Sequence, residues 1–211
     1  MRVINFIIGF ILLTHTILQT EVKATIGEVT LQTGSAVIDR QDGDKGIKVK
    51  KELDILSYDT VKTGDGKVGI KFIDDTRVDV TELIIDEFVY DPNTKTGSLS
   101  LKASLGTIRY ASGQIAKNSK QNVKISTPTA TIAVRGTDFA MTVNEIGGST
   151  IVLLPSCDGN GNCYVGEIEV QTDAGFVIMN QAFQATQVDT TESKPLKPVL
   201  LELDIDMINN L

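Results

Sequence analysis

Apolar and polar residues alternate along most of the chain. Between residues 25 and 188, short runs such as "EVTLQ", "KVGIKFI", "TRVDVT" and "GEIEVQT" place apolar side chains at every second position. Glycine-rich or acidic turns, among them "TGDGK" and "DPNTKTG", separate these runs. A period of two is typical of half-buried β-strands, and many short strands between such turns indicate an all-β domain.

A weak internal repeat accompanies the alternation. The segments "GEVTLQTGSAV", "GTIRYASGQI" and "GEIEVQTDAGFVI" each start with a glycine, continue as an alternating run and reach a polar turn. Stacked rungs of a β-solenoid produce such weak sequence repeats, and so do the hairpins of a sandwich. We therefore predict an all-β fold of many short strands, arranged as a two-layer sandwich or as a short β-solenoid.

The N-terminal segment differs in character from the rest of the chain. After Arg2, an apolar run extends from Ile4 to Leu13, and "VKA" at 22–24 suits signal-peptidase cleavage. The run is shorter than the roughly 20 residues of a membrane span. It predicts a signal peptide at 1–24, cleaved after Ala24, with a retained N-terminal anchor as the alternative.

The predicted signal peptide indicates how residues 25–211 are organised and where the mature protein is located. A β domain should occupy residues 25–190, and "DTTESKPLKP" begins a linker with an apolar C-terminal segment, a short tail at 191–211. The mature protein should be exported, to the periplasm or to the extracellular space and cell surface. No stable membrane span is expected after cleavage.

The charge balance disfavours nucleic acid as a partner. Without Arg2, Lys23 and Glu21, 18 basic and 26 acidic residues remain, a formal net charge of −8. Phosphate binding requires a basic face, which this balance does not favour. The same surplus of acid argues against electrostatic binding to anionic lipid.

Histidine is absent from the predicted mature chain. The sequence has one histidine, His15, and it lies within the signal segment. This excludes a Ser-His-Asp triad, a Cys-His pair and any histidine metal site in residues 25–211. Paired carboxylates remain available, but none stands in a recognisable catalytic setting. We therefore expect a non-enzyme without a cofactor.

The alternation changes parity within "STPTATIAVRGTDFAMTV" at 126–143. Ile132 and Val134 are even, Phe139 is odd, and the shift falls at Arg135-Gly136-Thr137. A one-residue slip is what a β-bulge produces, and glycine tolerates its backbone angles. A bulge would bring Arg135 close to Asp138. Either the two form an ion pair that locks the bulge, or Arg135 stands at a sheet rim and meets a carboxylate or backbone of a partner.

The same stretch resembles the signature of the FecR domain. In that signature, Thr-Pro leads through a short alternating strand into Val-Arg-Gly-Thr-x-Phe. Upstream, "LSYDTVKTGDGKVGIKFIDDTRVDV" and "GTIRYASGQI" are similar to the segments that precede it in the family. The resemblance covers roughly Thr25 to Val143, and Asp75 stands where the family has a glycine in the turn after Phe72. The resemblance implies a structural motif and partner contact at Arg135, Gly136, Thr137, Asp138 and Phe139.

The resemblance also implies a biological role. The best-known FecR-type regulators carry a cytoplasmic anti-sigma segment, one membrane helix and then the periplasmic domain. Here the predicted signal peptide directly precedes the domain, so we expect an exported FecR-like module without the anti-sigma segment. Its function would be that of a binding or adaptor module of the cell envelope, linked to signalling or regulation, with a protein partner. The alternative is a structural or assembly protein, a cell-surface or virion component that self-associates through the same β domain.

Two cysteines flank a polar, glycine-rich loop in "PSCDGNGNCYV". An even cysteine pair in an exported chain predicts a disulfide between Cys157 and Cys163 at a hairpin tip. Asp158, Asn160 and Asn162, with Glu169 further on, partly mimic a calcium loop, but Cys163 stands where that loop needs glycine. We expect an Asx-rich turn and no metal site. The "DD" at 74–75 is likewise expected to be a solvated turn.

Overall fold

The computed structural model describes residues 24–119, 121–158 and 160–202. The predicted signal peptide, apart from Ala24, and residues 203–211 of the predicted tail lie outside this range. The described chain is all-β with one short helix, so the predicted fold class is confirmed.

The elements alternate between short strands and tight turns. In chain order they are β1 (Thr25–Gln32), β2 (Ala36–Asp39), β3 (Ile47–Lys48), β4 (Asp54–Leu56), β5 (Thr60–Thr63), β6 (Val68–Phe72), β7 (Arg77–Val80), β8 (Glu82–Asp91), β9 (Thr96–Lys102), β10 (Gly106–Ala111), α1 (Gln114–Asn118), β11 (Val123–Ser126), β12 (Thr131–Arg135), β13 (Asp138–Val143), β14 (Ser149–Leu154), β15 (Ser156–Cys157), β16 (Cys163–Tyr164), β17 (Glu167–Thr172), β18 (Gly175–Met179), β19 (Gln184–Val188) and β20 (Val199–Leu200).

Two nine-stranded sheets form the body of the protein. Sheet A has the order β20-β19-β14-β13-β10-β7-β6-β1-β4, and sheet B has the order β18-β17-β12-β11-β9-β8-β5-β2-β3. Their inner faces share one apolar core, in which Phe72 of sheet A stacks on Phe88 of sheet B with ring centroids 5.3 Å apart. Two sheets that enclose a common core form a sandwich.

Strand pairing favours the sandwich over the solenoid. Rungs of a solenoid stack in parallel, whereas the pairings among the described strands are antiparallel except between β9 and β11. The repeated segments at Gly27, Gly106 and Gly166 lie in antiparallel strands: β1 and β10 belong to sheet A, and β17 forms a hairpin with β18 within sheet B. They are not successive rungs.

The chain advances along the sandwich by strands that pass in pairs from one sheet to the other. β7 pairs with β6 in sheet A, and the next strand, β8, pairs with β5 in sheet B. In the same way, β9 pairs with β8 in sheet B and β10 with β7 in sheet A. Further along, β18 pairs with β17 in sheet B and β19 with β14 in sheet A. β14 and β17 follow β13 and β12, with the β15–β16 hairpin inserted between them. Each of these pairs thus lies on the outer edges of the strands before it, and β11 is an additional strand of sheet B between β9 and β12.

The segment after β19 returns to sheet A and lies along its edge. The backbone N–H of Leu196 donates to the carbonyl of Gln187, and that of Leu201 donates to Phe183, both over 3.0 Å. Part of the predicted linker is therefore an edge strand of the domain. Among the described residues, none of the helices is long and apolar enough to cross a membrane.

Candidate functional site: a corner between the sheets and its hairpin

The parity change lies at a corner between the two sheets. β12 ends at Arg135 in sheet B, β13 begins at Asp138 in sheet A, and Gly136 and Thr137 connect them. Ile132 and Phe139 both face the common core, but they do so from different layers. The predicted bulge is therefore wrong: the side chains change parity because the strand changes sheet.

Gly136 allows the corner to turn. Its φ is +66°, in the left-handed region, where a side chain costs roughly 1–2 kcal/mol. A Cβ at Gly136 would lie 3.6 Å from the nearest atom, the carbonyl oxygen of Ala116, which is an ordinary contact. The backbone angle, rather than lack of space, therefore favours glycine at this position.

Arg135 lies between two glutamates of the neighbouring strand β17. Its Nη1 donates to Glu167, and its Nη2 donates to Oε2 of Glu169 over 3.2 Å. All three side chains are about one-quarter to one-third exposed. They share the outer face of sheet B, where Arg135 is in register with Glu167 and Ala133 with Glu169.

The first of the two alternatives, an ion pair between Arg135 and Asp138, is wrong. Asp138 belongs to sheet A, and its Oδ1 accepts from the backbone N–H of Ser112 over 3.0 Å and from the hydroxyl of Ser156 over 2.6 Å. Because the corner lies between Arg135 and Asp138, their side chains are held by different sheets. Each therefore ties a different neighbouring segment to the corner.

Thr137 completes the polar network of the corner. Its side chain is fully buried, its hydroxyl donates to the carbonyl of Leu154 over 3.2 Å, and its own carbonyl accepts from the hydroxyl of Ser112 over 2.6 Å. These bonds join the ends of β10 and β14 to the corner. A buried network with paired groups fixes one backbone arrangement.

Phe139 anchors the corner in the core. It is fully buried, stands opposite Tyr110 on β10, and stacks on that ring with centroids 5.3 Å apart. Burial raises the pKa of Tyr110 above its usual value, so the hydroxyl resists deprotonation even in alkaline solution. Phe139 is therefore inaccessible to a partner, and its predicted contribution is to the motif's structure.

A hairpin projects from this corner. β15 and β16 pair through Ser156 with Tyr164 and through Cys157 with Cys163, and the two cysteines form a disulfide, as predicted. The polar residues between the cysteines are exposed at the described positions, and so are Tyr164 and Val165 on the returning arm, at 46% and 36%.

Both arms of the hairpin are rooted on the corner. On the outgoing arm, Ser156 binds Asp138. On the returning arm, Gly166 lies directly on the corner backbone, because an added Cβ would be 2.5 Å from the carbonyl oxygens of both Arg135 and Gly136. Glu167 then binds Arg135. The signature residues therefore form the base of the hairpin.

The loop between the cysteines is organised by Asp158. Its carboxylate accepts from the backbone N–H groups of Asn160 and Asn162, each over 2.9 Å, and from the side-chain amide of Asn162 over 3.1 Å. The Asn162 side chain and then these N–H groups hold the pKa of Asp158 below its usual value. The carboxylate faces loop donors and Glu169 binds Arg135, so the calcium-loop alternative does not fit these contacts.

Asp74 was not recognised in the sequence as a buried residue. Its carboxylate is fully buried and accepts from the N–H and hydroxyl of Thr76, over 3.0 and 2.8 Å, and from the N–H of Ile115 in α1 over 3.1 Å. The prediction of a solvated turn is therefore wrong for Asp74. The Asp-x-Thr spacing, typical of an Asx turn, was the available signal. Asp75 adopts φ +67°, the conformation that suits the family's glycine.

An open groove of about 690 Å³ lies elsewhere, on the outer face of sheet A. Asp79 and Arg109 stand opposite each other on its floor, beside threonines of β10, β13 and β14. Among the described residues there is no group of three or more His, Cys, Asp or Glu side chains arranged to hold a metal ion.

Residues 59–155 match the model of the FecR protein family. The chain contains a FecR domain. The matched range includes the corner and ends immediately before the hairpin. The match to this family indicates a module related to signalling or regulation. Comparison with curated proteins and with solved structures found no significant match.

The ion pairs of Arg135 give a first prediction. Replacing Arg135 by Ala leaves Glu167 and Glu169 adjacent without a cation, and we expect the free energy of unfolding to fall by about 1–2 kcal/mol, since the site is only partly exposed. Arg135→Lys, which keeps the charge but not the two-pronged geometry, should lose less. Urea unfolding measures both. In a double-mutant cycle, removing both glutamate charges should lessen the cost of Arg135→Ala; strict additivity would argue against the ion pairs.

The disulfide gives a second prediction. Because Cys157 and Cys163 close a short loop, replacing both by Ser should cost about 2 kcal/mol of unfolding free energy, through the greater entropy of the unfolded chain. The base contacts of Ser156 and Gly166 lie outside the loop, so the FecR domain should remain folded. Thermal unfolding with near-UV circular dichroism tests this. Complete unfolding of the variant at 25 °C would show that the hairpin is needed for the sandwich.

Proposed function

We propose that this protein is a non-enzymatic binding or adaptor module of the cell envelope that contacts a protein partner through the β15–β16 hairpin. The FecR signature holds the base of this hairpin in one orientation. In this role the protein is an exported module linked to signalling. The signature residues support the contact surface and do not form it.

The rooting of the hairpin on the corner is the observation that carries this proposal. Short hairpins that extend from a fold have little stability of their own, since they lack a core. This one is held by the Ser156–Asp138 bond, the close approach of Gly166 to the corner, and the disulfide. Pre-organisation of this kind lowers the entropic cost of binding.

The exposed residues of the hairpin suit a protein partner. Tyr164 and Val165 offer apolar surface beside a polar tip. Tyrosine is enriched in protein interfaces because it combines a large apolar ring with a hydroxyl group. A disulfide is also typical of proteins that act in an oxidising compartment, which supports export to the periplasm or beyond.

Site-specific photo-crosslinking in the native host tests the proposal. A photoreactive amino acid replaces Tyr164 on the hairpin, and in a matched control it replaces Ile146. Ile146 lies in the turn between β13 and β14, away from the corner end of these strands, and it is 88% exposed. The captured proteins are then identified by mass spectrometry.

We expect a discrete adduct with one envelope protein from position 164 and none from position 146. The adduct should become weaker in Cys157→Ser/Cys163→Ser, which leaves the domain folded. Equal capture from both positions, or none from position 164 in a folded and exported protein, would contradict the proposal.

The alternative, a structural or assembly role, rests on a different feature. β18 is an edge strand whose Phe176 and Ile178 side chains are exposed, and such an edge can pair with a second copy. Self-association of the full chain that is lost on Phe176→Lys in sedimentation velocity would favour this role over the adaptor.

A further inference from the structure

The four edges of the two sheets are not alike. β3 and β20 are two residues long, β3 contains Lys48 and is followed by Lys50 and Lys51, and Pro198 precedes β20. β4 has three residues and begins with Asp54. Short strands, charges and proline are the features by which proteins protect an edge from pairing.

β18 has none of these protections in its own sequence, although the Lys194 side chain lies beside its first residue, Gly175. The strand runs for five residues, "GFVIM", without charge or proline, and its Phe176 and Ile178 are 58% and 41% exposed on the outer face of sheet B. Val177 faces the core but is only partly buried. A strand of this composition at an open edge normally has a covering strand.

The progression of the fold indicates where such a strand would come from. In the pairs described above, one strand is added to the edge of one sheet, and the following strand of the pair is added to the same end of the other sheet. β14 and β17 follow β13 and β12 in this way, as β18 and β19 follow β17 and β14. β20 lies on β19. The next segment after β20 would therefore cover β18.

The described chain ends close to this edge. β20 runs antiparallel to β19, with Val199 opposite Ala185 and Leu200 opposite Gln184, and Leu201 binds the carbonyl of Phe183. Residues 180–183 connect β18 to β19. The chain runs antiparallel to this connection, so at Glu202 it is heading towards the end of β18.

We propose that residues 203–211 pair antiparallel with β18 and cover its free edge. Their sequence, "LDIDMINNL", alternates Leu203, Ile205 and Met207 with Asp204 and Asp206. This alternation suits a strand with one apolar and one solvated face. Its acidic residues would give sheet B the charged edge that β18 lacks.

Hydrogen–deuterium exchange on the full-length chain tests the proposal. A variant with Leu203, Ile205 and Met207 all changed to Asn removes the apolar face, and a matched control changes Asp204 and Asp206 to Asn. A third form stops after Glu202. Exchange is followed at residues 175–179 and, as an internal reference for folding, at 149–154 of β14.

In the full chain and in the aspartate variant, we expect the covered amides of β18 to exchange slowly. In the apolar variant and the shortened form, they should exchange at least tenfold faster, while those of β14 are unchanged. Equal exchange of β18 in all four proteins would overturn the proposal. Protection that rises with protein concentration would also overturn it, because the occupant would then be a second copy.

This inference is independent of the proposed partner contact. A missing crosslink at Tyr164 would not contradict the pairing at β18. Fast exchange of the β18 amides would not contradict the partner contact of the hairpin.

Discussion

Replacing Asp74 by Ala should lower the free energy of unfolding by about 4 kcal/mol. The carboxylate is fully buried and binds the backbone N–H groups of Thr76 and Ile115. Removing it leaves both N–H groups buried without an acceptor, and each unsatisfied group costs about 1–3 kcal/mol. The hydroxyl of Thr76 loses its partner as well.

The location of Asp74 determines what its loss should change. It joins the turn between β6 and β7 to the first turn of α1, and Gly113 lies so close to this turn that a Cβ would be 2.3 Å from the N–H nitrogen of Thr76. α1 packs against the corner, since a Cβ placed on Gly136 would be 3.6 Å from the carbonyl oxygen of Ala116. We therefore expect faster amide exchange in α1 before the sandwich unfolds.

Chemical denaturation with two comparison variants measures the effect. Asp74→Asn keeps one acceptor oxygen and should lose about 2 kcal/mol, because its amide group cannot accept from the remaining donor. Asp173→Ala, in the exposed turn between β17 and β18, should change the free energy by less than about 0.5 kcal/mol. If Asp74→Ala were as mild as Asp173→Ala, the hydrogen bonds of the buried carboxylate would not contribute to stability.

The strands could be predicted from the sequence because alternation depends on local burial. Runs such as "KVGIKFI" and "GEIEVQT" contain β6 and β17, whose alternating apolar residues face the core, whereas Ile73 at the end of the first run is exposed. "TELIIDEFV", which alternates poorly, is part of the long strand β8, whose register shifts between Ile85 and Glu87. The pattern therefore identified the strands, whereas sheet order depended on contacts distant in sequence.

The parity change shows where a local pattern is insufficient. A bulge and a corner between sheets both move the apolar positions from even to odd numbers, and both favour a glycine such as Gly136. The difference lies in the neighbours: β12 pairs with β11 and β17, whereas β13 pairs with β10 and β14. The partners of Arg135, two glutamates more than 30 positions away, could not be predicted for the same reason.

Replacing Phe139 by Ala should also lower the free energy of unfolding by about 4 kcal/mol. Its ring is fully buried beneath the corner, and large-to-small changes of a core phenylalanine cost about 3–5 kcal/mol through lost transfer free energy and the cavity left behind. The stacking on Tyr110 is lost as well. Urea unfolding followed by circular dichroism measures this change.

Phe139→Leu separates stability from partner contact. It retains most of the apolar volume and should cost about 1–1.5 kcal/mol, part of which is the ring contact with Tyr110. Because the side chain faces the core and not the hairpin, the photo-crosslink at Tyr164 should keep its wild-type yield. Loss of the crosslink in a folded Phe139→Leu protein would mean that packing beneath the corner sets the orientation of the hairpin. The adjacent bond between Asp138 and Ser156 would then be insufficient to hold the outgoing arm in place.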